Sequence, residues 1–182
     1  MALVHSPSIV LDKLAFYMDA LSPKCYSGSG TAVNDISGKE YNGTLNGLGS
    51  QVSYNASVGS FDFTGGNGAS IAYPESNISK DPSLILTGVS GEITHEAWCF
   101  PTNITVNRRI MSTDRSDYNC LMWGTNNKVE WSVDNAQFNS NNNSFSTNKW
   151  WHIVGTASRA AGTTNNIRIY RNGELIKTNS RN

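Results

Sequence analysis

Two carboxylates four residues apart, Glu92 and Glu96 in the segment EITHE, are the side chains best spaced for acid–base work. Hydrolysis of a glycosidic bond needs two carboxyl groups facing one sugar ring, one as acid and one as nucleophile or base. The plainer reading of Glu92 and Glu96 is a pair of outward-facing strand carboxylates, and no catalytic residue is assigned. His152 follows two tryptophans, Trp150 and Trp151, and reads as a packed structural residue. His95 reads as a core or rim histidine with a hydrogen-bond partner, and His5 lies near the amino terminus. No serine, cysteine or aspartate is tied to a histidine by a nucleophile motif such as GxSxG.

Metal and sugar chemistry have weaker candidates. The segment STDRSDYN offers Asp114 and Asp117 as oxygen ligands for calcium, without EF-hand spacing, and a solvated turn is the simpler account. Otherwise no cofactor is expected. Sugars bind by stacking on an exposed aromatic face while polar side chains take the hydroxyls. Trp123 with Glu130, Tyr118 and Asn119 is the candidate for that role; alternatively Trp123 lies under a loop or a neighbouring subunit.

The elements that must hold these residues are strands. The 182 residues carry fourteen basic and fourteen acidic groups, so the net charge is zero and a nucleic-acid partner is not expected. Only 15% are charged, while Gly and Asn clusters recur between short β-branched and aromatic runs, the pattern of an all-β sandwich. No run reaches the ~18 apolar residues of a membrane span. The amino terminus lacks the layout of a secretory signal. Cys25, Cys99 and Cys120 offer neither a metal pair nor a disulfide framework, which points to free thiols, Cys99 and Cys120 buried, and synthesis in a reducing cytoplasm.

Leu14–Asp19 is expected to be the first strand, followed by a turn-rich stretch from Ser22 to Gly49. Ser60–Phe63 and Ala69–Tyr73 read as strands around a glycine turn. Glu92–Phe100 alternates, with Ile93, His95, Ala97 and Cys99 on one face and Thr94, Glu96, Trp98 and Phe100 on the other. Cys120–Val133 reads as a hairpin turning at Asn126-Asn127. That register puts Met122, Trp131, Gly124, Val129, Cys120 and Val133 on the core face and Leu121, Trp123, Glu130 and Ser132 opposite. Ala136–Asn148 is expected to be a polar loop before a strand at Trp150–Thr156. Asn172-Gly173 suits a type I′ turn that pairs Arg171 with Glu174, Tyr170 with Leu175 and Ile169 with Ile176.

Four segments in order, SFDFTGGNGASIAYP, HEAWCFPT, NKWWHIVGTAS and IRIYRNGELI, resemble the concanavalin A-like lectin/glucanase superfamily of laminin G-type jelly rolls. The resemblance implies an antiparallel β-sandwich over residues 14–182, preceded by an arm at 1–13 that could dock on a partner. Glucanases of that superfamily carry a strand motif resembling E-[IL]-D-x-x-E; here Thr94 stands where its middle aspartate would be. The segment from His5 to Gly47 resembles a leader of tailed-phage virion proteins, notably those infecting marine cyanobacteria. It keeps Asp19, Ala20, Pro23, Tyr26, Gly28-Ser29-Gly30-Thr31, Asp35, Ser37, Gly38 and Asn42-Gly43-Thr44-Leu45, and departs at Cys25 and Val33. Relatives continue past the Asn-Gly hairpin to closing strands that do not follow here, so either a second copy or another virion protein is expected to cover that edge, or the sequence is part of a longer gene product. The resemblance implies a non-enzymatic virion structural protein, made in the host cytoplasm, with host-surface glycans as a partner. A free-standing lectin is the alternative, and a glycoside hydrolase the least expected.

Overall fold

The computed structural model describes residues 12–64, 70–72, 91–112, 119–133, 136–159 and 165–181. Among them every regular element is a strand, and every strand pairing is antiparallel. The expected all-β class holds. The chain divides into two compact units, Met1–Ile78 and Ser79–Asn182, inside the segment expected to form one sandwich. The proposed arm at 1–13 lies almost wholly outside the described residues.

The first unit carries β1 (Ala32–Val33), β2 (Gly43–Asn46), β3 (Val52–Asn55), β4 (Ser60–Phe63) and β5 (Ser70–Ala72). They form a sheet ordered β1-β2-β5 and a β3-β4 hairpin. The two strands read on either side of the glycine turn therefore exist, but β4 pairs with β3 and β5 with β2. Cys25, Tyr26, Val33, Leu45 and Val52 make the core. Cys25 and Val33 are fully buried. Tyr26, Tyr54 and Phe61 pack ring to ring at 4.8–5.5 Å.

Leu14–Asp19 is not a strand, contrary to expectation. Its backbone is bound another way. Tyr17 N–H donates to Asp35 Oδ1 at 3.0 Å, and Tyr17 O accepts from Ile36 N–H at 2.9 Å. Asp35 is the hub of this segment: its carboxylate also accepts from Ser37 N–H, Ser37 Oγ–H and Tyr41 N–H. Its own N–H donates to Asn42 Oδ1. A nearly buried carboxylate satisfied by three backbone donors fixes a loop that has no ladder of its own. Asp35→Asn turns one acceptor oxygen into a donor. It is expected to cost about 1–2 kcal/mol and to speed hydrogen exchange at the Tyr17, Ser37 and Tyr41 amides; unchanged exchange there would contradict the hub role.

The second unit holds β6 (Gly91–Cys99), β7 (Arg108–Ser112), β8 (Asn119–Gly124), β9 (Lys128–Val133), β10 (Ala136–Asn139), β11 (Trp151–Arg159), β12 (Asn165–Arg171) and β13 (Glu174–Arg181). Two four-stranded sheets result, ordered β10-β9-β8-β7 and β13-β12-β11-β6. They enclose one core that includes Ile93, Leu121, Trp123, Trp131, Ile153 and Ile169. Trp131 of the first sheet lies over Gly155 of the second, where an added Cβ would come 2.8 Å from the indole. Its ring also meets His95 edge-on, at 4.6 Å between centroids.

The β8–β9 hairpin exists, but its register is one residue away from the expected one. Leu121 faces Trp131, Met122 faces Glu130, and Gly124 faces Lys128 across a turn of Thr125, Asn126 and Asn127. The cause is tertiary: Asn126 O and Asn127 O accept from Asn143 N–H and Phe145 N–H, so the following segment dictates the turn. Val129, Trp131 and Val133 keep their expected core places and are joined there by Leu121 and Trp123, while Cys120 and Met122 are buried as expected but outside that cluster. Part of the expected polar loop is itself a strand, β10, which pairs with β9 through Phe138 and Trp131.

At the β12–β13 hairpin Asn172 and Gly173 both have positive φ, and Arg171 pairs with Glu174 at 3.1 Å. Tyr170 faces Leu175 as expected. A bulge then sets Ile169 opposite Lys177 instead of Ile176, which still packs on the core.

Candidate binding face

Strand alternation on β6 sends Ile93 and His95 inward and Thr94, Glu96 and Trp98 outward. Its antiparallel neighbour β11 sets His152 directly across from Trp98. The two rings stack at 4.9 Å and 29°. One step beyond the end of β6, Phe100 meets Trp150 edge to face at 5.6 Å. The four rings form a block two strands wide, in which Trp98 is 66% exposed, Phe100 45% and Trp150 44%. Exposed large aromatics gathered on one sheet face are uncommon unless something docks there.

Polar groups frame the block. His152 Nε2 lies 2.8 Å from Glu96 Oε1, an ion pair when the imidazole is protonated. The His152 backbone is clamped by the hairpin turn, since its N–H donates to Asn172 Oδ1 and its carbonyl accepts from Asn172 N–H. Asn148 N–H donates to Pro101 O at 2.8 Å, tying the outgoing and incoming chain together beside Phe100 and Trp150. The platform therefore stands on hydrogen-bonded backbone on both sides.

The residues singled out from sequence for sugar contact do not assemble into such a surface. Trp123 is 6% exposed and belongs to the core, packed edge to face on Phe145, which packs in turn on Trp151. The one-residue shift in register puts the indole on the Trp131 face of the sheet, and the opposite face is closed as well, with Cys120, Met122, Glu130 and Ser132 buried. Glu130 is also buried, held by Lys128 Nζ at 3.0 Å and Gln137 Nε2 at 2.6 Å. Tyr118, Asp114 and Asp117 lie outside the described residues, and Asn119 begins β8 opposite Val133. Among the described residues no group of three or more His, Cys, Asp or Glu could hold a metal ion.

The thiols and His95 are poor candidates for chemistry. None of the three cysteines is in a disulfide; Cys25 and Cys120 are buried and Cys99 partly so. Burial pushes the Cys99 thiol up to about 12 and raises that of Cys25 as well, against the thiolate a nucleophile needs. His95 is buried, and burial lowers it to about 4; its Nδ1 has no hydrogen-bond partner among the described residues, contrary to the expectation of a satisfied ring. Sequence reasoning had already placed Glu96, Trp98 and Phe100 together off the core. What it lacked was the β6–β11 register that brings His152 and Trp150 beside them.

A family model of laminin G type, described as concanavalin A-like lectin/glucanases superfamily, matches residues 64–182. The chain belongs to the concanavalin A-like lectin/glucanases superfamily. The match takes in all of the second unit, including both sheets and the aromatic block. Comparison with curated proteins and with solved structures found no match. No helix among the described residues is long and apolar enough to cross a membrane.

Proposed function

We infer that this chain is a non-enzymatic, lectin-like recognition protein of a tailed-phage particle, carried as a capsid decoration, fibre or other exposed appendage, where it touches host-surface glycans. The observation that carries the recognition role is the exposed aromatic block on a hydrogen-bonded sheet, in a domain whose superfamily includes lectins. The particle assignment is supported by the leader resemblance, of whose residues Ser37 and Asn42 are hydrogen-bonded to Asp35.

Geometry favours binding over hydrolysis. Glu92 and Glu96 share the outer face of β6, but Thr94 stands between them where the glucanase motif has its aspartate. The side chain in contact with Glu96 is the His152 imidazole, at 2.8 Å. Binding here needs no cofactor; calcium at Asp114 and Asp117 would be an addition. Other virion proteins, or a second copy adding a strand at the β13 edge, are the proposed assembly partners, with synthesis in the host cytoplasm. A free-standing lectin is the second reading, favoured by the same aromatic block.

Two measurements test this. Cryo-electron microscopy of intact particles is expected to locate the chain on an exposed site; absence from the particle would leave the lectin alone. Incubation with laminarin or agar is expected to release no reducing ends, and turnover would overturn the non-enzymatic reading.

A further inference from the structure

Resting on the recognition role above, we propose that the ring block of Trp98, Phe100, Trp150 and His152 is a binding site for a linear, neutral oligosaccharide at least two sugar units long. Each ring pair is one step of the ladder: Trp98 across from His152, and Phe100 beside Trp150. Residues i and i+2 on a strand stand about 7 Å apart on one face. The block thus offers two successive stacking positions along the strand direction, not one isolated ring. The apolar face of a pyranose stacks on such rings for the reason any flat apolar surface does, and its hydroxyls need polar partners at the rim. Glu96 and His152 supply a carboxylate acceptor and an imidazole, already in contact with one another beside Trp98.

Charge sets the class. Glu96 is well exposed beside the stack, so its carboxylate opposes a sulfated or uronic-acid chain at the same place. The rigid floor also favours a sugar chain, because Asn172 holds the His152 backbone on both its N–H and its carbonyl. Little ordering cost is left to the protein side.

Calorimetric titration of the full chain with gluco-, manno- and galacto-configured oligosaccharides of one to six units, and with a sulfated galactan, tests this. Affinity for one neutral series is expected to climb from the monosaccharide to the trisaccharide. Trp98→Ala and Trp150→Ala should each weaken it about tenfold, and both should fold, since neither indole belongs to the core cluster. Leu175→Ser, on an exposed position of β13, is expected to bind as the parent does. Oligosaccharide binding that survives both tryptophan changes would overturn this site while leaving the lectin reading intact. Tighter binding of the sulfated galactan would overturn the neutral class. Failure to bind any saccharide would bring down the lectin reading and the site together. Self-association that Trp98→Ala abolishes would make the face a contact between copies and overturn the proposal.

Discussion

Trp131→Ala is expected to destabilise the second unit by about 3–5 kcal/mol, the range found when a large aromatic is cut from a closed core. Trp131 has no exposed surface, and it spans the gap between the two sheets. Its indole rests over Gly155 on β11 and against the His95 ring on β6, residues that face each other in the ladder. The glycine is required by size. A Cβ at 155 would sit 2.8–3.1 Å from three carbons of the indole, and neither the ring nor the ladder can move far. Gly155→Ala should therefore cost about 1–3 kcal/mol through overpacking. In that background Trp131→Leu should cost less than it does alone, because the smaller side chain makes room for the added methyl. Urea unfolding of the four proteins measures that coupling, expected at about 0.5–3 kcal/mol for residues in contact. Additive losses would mean that the indole and the glycine do not share one socket.

Much of this arrangement could be read before any fold was seen. β6 announces its faces by alternation alone, and the Asn172-Gly173 turn forces its own hairpin because only such residues accept positive φ twice in succession. The family segments are likewise local, each a strand or turn with a characteristic order of apolar residues. What could not be read depended on partners distant in the chain. The β8–β9 turn looked like two residues because Asn126-Asn127 resembles a hairpin dipeptide. Its carbonyls are in fact claimed by Asn143 and Phe145, and that moves the ladder by one.

One such shift was enough to change the role of a tryptophan. Trp123 went into the core with Phe145. Trp98, which alternation had already placed outside, gained its companions only through pairing with a strand more than fifty residues away. The same holds at the amino-terminal end. Leu14–Asp19 has the composition of a strand, but the Tyr17 N–H goes to the Asp35 carboxylate, a destination that propensity does not report. Strand preference says that a segment suits a pleated surface, not which surface it will meet.

Acid is expected to weaken the second unit through His95, by about 3 kcal/mol once the pH has fallen below 4. The ring is buried between Trp131 and the β11 backbone, and desolvation lowers it from 6.5 to about 4. Between those values the unfolded chain binds a proton that the folded chain does not. Stability therefore rises with pH across that window: it is full above about 6.5, lost progressively as pH falls towards 4, and reduced by a constant amount below. The slope belongs to this ring if it vanishes with the ring. His95→Leu keeps an apolar group of similar size under Trp131 and removes the titration, so its stability should be nearly flat between pH 4 and 6.5 apart from the carboxylates that begin to protonate near 4. The difference between the parent and His95→Leu profiles from urea unfolding isolates the effect. Parallel profiles would show that the imidazole accepts its proton without opening the core.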